Sequence, residues 1–319
     1  VSQPLLLAAA CLAVQLVVSA AGAAVVAASE PRLLRLAAGL APDRRARALL
    51  AILLLPAGLG LLVSLGLVVP AWLLHEPPGR DERAGPALVL LSALGTLLVA
   101  GRLGVALLEL VRTARLVGRW RAEGRELRGL PLAATRVGCD APPASLHGLL
   151  RPRLLLASRL IEALQPDELE AVIEHERAHV RARENLKRFL LRAAPDPLVL
   201  LPAGRRLLAA FEEASEVAAD RDACRRVPPL SLARALLKTA RLTGGPEGLV
   251  AAALHREGAL ALRVRELVRA HETAEVAAPS HRAMVAWLVA AAALGVAAAA
   301  GSGLAFVHAL TERLVHLLS

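Results

Sequence analysis

Aromatic residues are almost missing from this chain: they make up 2 %, as three Trp and three Phe with no Tyr. That scarcity leaves no rings to interleave with basic side chains and stack on bases, and no nucleic-acid-binding motif is present, so direct DNA or RNA binding is not expected. Cysteine is equally sparse. Cys11, Cys139 and Cys224 form no C-x-x-C pair and imply no disulfide framework. There is no phosphate-binding loop, no nucleophile elbow and no internal repeat. The nucleotide-dependent and serine-hydrolase classes therefore have no support.

What remains is apolar and basic. Hydrophobic residues make up 56 % of the 319 residues, the mean hydropathy is +0.52 and the formal net charge is +10. That much apolar surface points to lipid. Four nearly uncharged runs are long enough to span a bilayer: Pro4 to Ala28, Ala48 to Leu74, Pro86 to Val111 and Ala283 to Val307. The first competes with a signal peptide, but no basic segment precedes it. Pro56 is tolerated in the second as a kink, and Arg102 lies towards one end of the third, where it can snorkel.

Loop charge orients these spans. The loop from Glu30 to Arg47 carries five arginines against two acids, whereas His75 to Gly85 carries two against three. A further basic cluster, Arg112 to Arg128, follows the third span. The positive-inside rule then puts the first loop and residues 112–282 in the cytoplasm and both termini outside. The expected organisation is a membrane region over 1–111, a cytoplasmic domain over 112–282, and a fourth span with a short external tail over 283–319. Arg112 to Leu130 reads as a basic amphipathic helix continuing the third span along the membrane surface.

The chemistry lies between the third and fourth spans. Ala171 to Asn185 contains His175-Glu176-Arg177-Ala178-His179, an H-E-x-x-H. On a helix, residues four apart share a face, so both imidazoles can turn towards one metal ion while Glu176, about 100° round, reaches a water without ligating the metal. Pro166 at the first helical position and Asp167 and Glu168 in the first turn favour that helix, which can run on to Pro195. Gln165 and Glu168 resemble a capping box.

A third ligand is available from Phe211 to Arg226, where Glu212, Glu216 and Asp220 recur every four residues as one acidic stripe. A carboxylate facing two imidazoles completes a His₂Glu zinc site; Glu216 is favoured over Glu212 or Glu213, against the reading of a solvated face paired with arginines. Asp220, one turn on, could fix the tautomer of a ligating histidine.

The run LHGLLRPRLLLASRL, followed by LQPDELEAVIEHERAHVRAREN and EVAAD, resembles the BlaR/MecR-type membrane metallopeptidases, the gluzincin antirepressors. It departs from the family pattern at Arg177, Glu184 and Ala219, none of them a ligand position. The resemblance implies Zn²⁺ held by His175, His179 and Glu216, with Glu176 as catalytic base and Asp220 behind a ligand. It implies a mainly α-helical protein of the bacterial inner membrane, with four transmembrane helices and a cytoplasmic α+β gluzincin-like peptidase domain. It also implies a protein substrate, either a winged-helix repressor or the chain itself, and an extended peptide bound along an edge strand. Arg153 to Ala157 is the expected strand, paired near Ala133 to Val137, with His147 at the rim of the site. The extracellular penicillin-sensing domain of some family members is not expected after the fourth span. Two other readings stay open: a housekeeping protease of the HtpX or CAAX-endopeptidase type, and a non-catalytic signalling scaffold with a structural zinc.

Overall fold

Long apolar helices open the chain in a computed structural model, which describes residues 3–75, 84–138, 141–243, 260–269 and 271. Helix α1 covers Gln3–Ala38. Helix α2 (Pro42–Val63) continues through a π-helical turn (Ser64–Val68) into α3 (Val69–His75), and α4 covers Pro86–Glu123. By length and composition Gln3–Ala38, Pro42–Leu74 and Pro86–Glu123 can each cross a membrane. The fourth expected span, Ala283 to Val307, lies outside the described residues. Leu5, Val25, Leu65 and Leu97 stand exposed along these helices, as side chains meant for lipid do. The inner faces pack closely. A Cβ on Gly95 would sit 2.4 Å from the Leu12 carbonyl oxygen, so only glycine lets α4 approach α1 at that level.

Two expectations for this region need correction. Residues 30–47 are mostly helical, because α1 runs past Pro31 to Ala38 and α2 begins at Pro42. Arginine and glutamate are good helix formers, so charge alone does not end a helix. Helix α4 likewise carries the basic stretch on to Glu123, but the expected helix to Leu130 gives way to strand β1 (Arg125–Leu127). Gly124 makes that change of direction: a Cβ there would strike Thr135 Cγ2 at 2.7 Å and the Arg136 carbonyl at 2.8 Å.

A four-stranded sheet follows, built from β1, β2 (Ala134–Val137), β3 (Ala144–His147) and β4 (Arg153–Ala157) in the order β1-β2-β4-β3. The expected pairing is present: β2 and β4 run parallel with Ala134 opposite Leu154. However, β4 is central and β3 is the edge strand. Leu154, Leu155 and Leu156 are all fully buried, which requires cover on both faces and partners on both sides. The polar Ser145 and His147 suit the rim instead.

The remaining elements are α5 (Ser158–Ala163), α6 (Pro166–Arg181), α7 (Glu184–Ala193), a 3₁₀ turn (Leu198–Leu200), α8 (Pro202–Ala223), α9 (Pro229–Thr243) and a helix over residues 260–269, here α10. The sheet packs on α6 through Leu154, Leu156, Leu160, Val172 and Ile173. The capping box at the start of α6 is formed: the Gln165 amide donates to Glu168 Oε2 at 2.8 Å, and the Gln165 side chain accepts from the first turn. Its other end differs from expectation. The helix does not reach Pro195; it stops at Arg181, and Arg183 takes up φ 52° before α7 starts.

Residues 186–204 pack against the apolar helices through Leu191, Leu198 and Leu201, while Leu190 and Leu200 stay exposed. Leu198, Leu207 and Phe211 share a buried cluster with Ala23, Val26, Leu49 and Leu53. Gln15 Nε2 donates to the Pro195 carbonyl at 3.1 Å, and Arg206 holds Glu30 with two bonds of 3.0 Å. Arg102 does not snorkel. It donates to the Leu191 and Ala194 carbonyls at 2.6 and 3.0 Å, and so satisfies one free carbonyl in the last turn of α7, that of Leu191.

Candidate metal centre

The H-E-x-x-H spacing does on α6 what helical geometry requires. His175 and His179 are buried one turn apart, and their Nε2 atoms face each other at 3.1 Å. Helix α8 brings Glu216 to the same point, with Oε2 3.6 Å from His175 Nε2 and Oε1 3.8 Å from His179 Nε2. His175, His179 and Glu216 are the only such metal-binding group among the described residues. Four ligands at 2.0–2.2 Å around a tetrahedral ion stand roughly 3.3–3.6 Å apart. The observed edges of 3.1, 3.6 and 3.8 Å bracket that size, and the donor set leaves room for a fourth ligand. Glu212 and Glu213 are not part of the group; Glu213 instead lies 3.6 Å from Arg45.

Both imidazoles are oriented from behind. His175 Nδ1 lies 2.9 Å from Asp220 Oδ1, with the carboxylate off the N–H axis, and His179 Nδ1 pairs with Glu184. Glu184 thus meets a proton on His179 Nδ1, and the nearby Asp220 charge favours the same tautomer of His175, which leaves the Nε2 lone pairs for a metal. Burial alone would lower the His175 pKa, but the Asp220 and Glu216 carboxylates outweigh it and raise the group to about 10. Burial pushes Glu216 up, and His175 together with Arg263 more than reverses this, holding its carboxyl well below the usual range.

Glu176 has a different setting. It lines a cleft of about 190 Å³ with His175, His179, Glu216, Arg188, Ser145 and Leu146, and has no hydrogen bond or ion pair among the described residues. A carboxylate at the edge of this group, held by no hydrogen bond among the described residues and acted on by the Arg263 charge, is placed to take up a proton.

Three residues that matter here escaped the sequence reading. Glu184 appeared only as a departure from a family pattern, yet it holds His179 and also accepts from Arg188 at 3.0 Å. Arg263, which sits with Arg265 and Arg269 in a stretch that reads as a solvated or lipid-facing edge, is largely buried; it chelates Asp220 and lies 2.9 Å from Glu216. Asn185 donates to the Leu146 and Gly148 carbonyls at 3.2 and 3.0 Å, which ties the end of the edge strand to α7. His147 is half-buried in β3, its Nε2 2.9 Å from Ser145 Oγ, and does not line the cleft.

Residues 137–274 match the model of Peptidase family M48. The match takes in His175, Glu176, His179, Glu216, Asp220 and Arg263 and marks a metallopeptidase domain, a hydrolase fold segment that begins in β2. It covers less than half of the chain and leaves α1 to α4 outside. It stands at the level of the peptidase family and does not single out the antirepressor type. No curated protein matches the chain.

Proposed function

We propose that this chain is a membrane-embedded, zinc-dependent endopeptidase that cleaves a cytosolic protein in regulated signalling. The observation that carries the reading is the pairing of two environments: two histidines locked from behind by carboxylates, and Glu176 left unpaired in the same cleft. A purely structural metal site has no need of such a base.

His175, His179 and Glu216 would hold the ion, and Asp220 and Glu184 would keep both imidazoles in the ligating tautomer. Zn²⁺ in such a site supplies Lewis-acid polarisation of a peptide carbonyl and acidifies water. Glu176 takes a proton from the attacking water on its carboxylate and passes it to the leaving amide nitrogen. The edge of β3 lies along this cleft through Ser145 and Leu146, so an extended substrate can add to the sheet as a further strand. Arg188, in the same cleft, offers a guanidinium to a substrate carbonyl.

The likeness of the motif run to the antirepressor peptidases supports a winged-helix repressor, or the chain itself, as substrate. Loop charge supports an inner-membrane protein with residues 112–282 in the cytoplasm and both termini outside.

The test is metal content measured beside cleavage, on protein purified in detergent. Wild type and Glu176→Gln should each carry about one zinc per chain, while cleavage of a co-expressed repressor, or self-cleavage, drops by about 10²- to 10⁴-fold in the variant. A variant that cleaves as well as wild type removes Glu176 as the base, and a zinc-loaded wild type that cleaves neither itself nor the repressor leaves a scaffold.

A further inference from the structure

Behind the metal-binding group lies a second cavity, of about 390 Å³, which shares only His179 and Glu184 with the cleft. Its walls are the turn between α1 and α2, the end of α6, the start of α7 and the last turns of α8. Six cationic side chains line it: Arg44, Arg47, Arg181, Lys187, Arg221 and Arg225. Asp43, Glu184 and Asp222 are the acids in the same walls, so cations outnumber acids two to one.

Part of this charge has a structural explanation. Helices α6 and α8 both end here, and cations suit helix C-termini. Arg181 pairs with Asp222 at 2.6 Å, and Arg225 lies 3.9 Å from the same carboxylate. Arg47 reaches Asp43 at 2.9 Å, and Glu184 is taken up by His179 and Arg188. Every acid is thus engaged. Arg44, Lys187 and Arg221 make no ion pair among the described residues, and the Nε of Arg47 is buried with no hydrogen-bond partner. Burial holds the Lys187 ammonium below its usual pKa against the attraction of Glu184, and Arg47 adds repulsion. Like charges gathered round a concave space, with the buried Arg47 Nε unfilled, favour an anion in it.

We infer that this cavity is a binding site for a phosphate-bearing anion, seated between Arg44, Arg47, Lys187 and Arg221. Guanidinium forks and an ammonium match tetrahedral oxyanions with several charge-assisted bonds. The cavity opens where α1 and α2 meet, at the charged end of two apolar helices, where an anionic lipid headgroup and a soluble phosphate compound can both arrive. A ligand there touches Glu184, the group that orients His179, so its occupancy would bear on the metal-binding group. The inference stands without the peptidase reading, since it concerns binding alone.

The experiment uses the full chain in nanodiscs and reads thermal midpoints. In phosphatidylcholine discs, inorganic phosphate is compared with sodium chloride at equal ionic strength; in parallel, phosphatidylglycerol replaces part of the phosphatidylcholine. A rise with phosphate identifies a soluble ligand, and a rise with phosphatidylglycerol alone identifies a lipid headgroup; either supports the site. The double variant Lys187→Gln/Arg221→Gln should weaken the response at least about tenfold in ligand concentration while binding as much zinc as wild type. Arg44→Gln, a single change at a half-buried position in the first turn of α2, serves if the double variant does not fold. No rise in either arm, or a rise that the variants keep in full, overturns the inference.

Discussion

Arg263 grips Asp220 with two short bonds, Nε to Oδ2 at 2.6 Å and Nη2 to Oδ1 at 2.7 Å. Its remaining nitrogen lies 2.9 Å from Glu216 Oε2, so one buried guanidinium neutralises both carboxylates that α8 sends to the metal-binding group. Removing one partner of a buried pair leaves uncompensated charge, which costs about 3–5 kcal/mol. Arg263→Gln should therefore lower the thermal midpoint sharply in the presence of a chelator. Zinc supplies an alternative counter-charge, so the loss should be smaller when zinc is added. Calorimetry with and without zinc checks this, and an equal loss in both would rule out the shared neutralisation.

Glu184 tests the orientation of His179. Glu184→Gln preserves the side-chain size but removes the charge that keeps Nδ1 protonated and strengthens Nε2 as a donor. Loss of such a partner typically costs 10- to 100-fold in metal affinity, roughly. Titration against a chromophoric chelator should show that decrease, with Glu184→Ala at least as weak. Unchanged affinity in both variants would mean that the contact does not orient the ligand.

These two residues also mark where the sequence stops being readable. His175, Glu176 and His179 follow from helical spacing, and Glu216 and Asp220 follow from a stripe repeating every four residues on a second helix. Glu184 does not. Five residues after His179 on an unbroken helix it would point about 140° away, since each residue turns about 100°. It reaches the imidazole only because α6 ends and Arg183 adopts φ 52°, a conformation that arginine does not advertise. Arg263 comes from a helix remote in sequence, among arginines that look like a solvated face, so no local pattern reveals its partners. The sheet was half legible. The apolar run of β4 announces a buried strand, but the four residues of β3, set between Pro143 and Gly148, carry no signal that they form the edge.

Asn185 ties that edge to the metal helix region. Its Nδ2 donates to two carbonyls at the end of β3, Leu146 and Gly148. Asn185→Ala removes both bonds, each worth about 0.5–1.5 kcal/mol, and frees the strand on which an extended substrate would lie. Zinc content should be unchanged, while KM for a peptide substrate rises and kcat/KM falls by roughly tenfold. A change confined to kcat, with KM untouched, would place the effect on the chemistry instead of on substrate binding.

The cap of α6 gives a pH dependence. Burial raises the Glu168 carboxyl, but the bonds from Lys238 at 2.6 Å and from the Gln165 amide prevail and hold it below the usual range. A depressed folded pKa stabilises the fold above the unfolded value of about 4.3 and loses that contribution as pH falls towards the folded value. Glu168→Gln should therefore destabilise at neutral pH, and its deficit against wild type should shrink below about pH 4.5. Denaturation across pH 3–7 measures it. A deficit that stays constant through the acid limb would assign the loss to geometry and not to charge.

The last prediction concerns how the apolar helices and the peptidase helices depend on each other. Phe211 is fully buried, one turn before Glu216 on α8, and its cluster includes Leu207 and Leu198 from the same region and Ala23, Val26, Leu49 and Leu53 from α1 and α2. Helix α8 thus presents Glu216 on one side and packs on the membrane-type helices with another. Phe211→Ala opens a cavity in that contact, with a loss of about 3–5 kcal/mol. The change removes no ligand, so zinc affinity of the folded fraction should hold while the thermal midpoint falls. Cutting the contact altogether is the stronger test. Residues 112–282 expressed alone would expose Leu198, Leu207 and Phe211 to water, together with the Arg206 that now meets Glu30. That segment should aggregate or bind zinc poorly, whereas co-expression with residues 1–111 should restore a folded, zinc-binding complex. A soluble, folded 112–282 segment with full zinc affinity would show that α1 and α2 anchor the peptidase helices without holding them together.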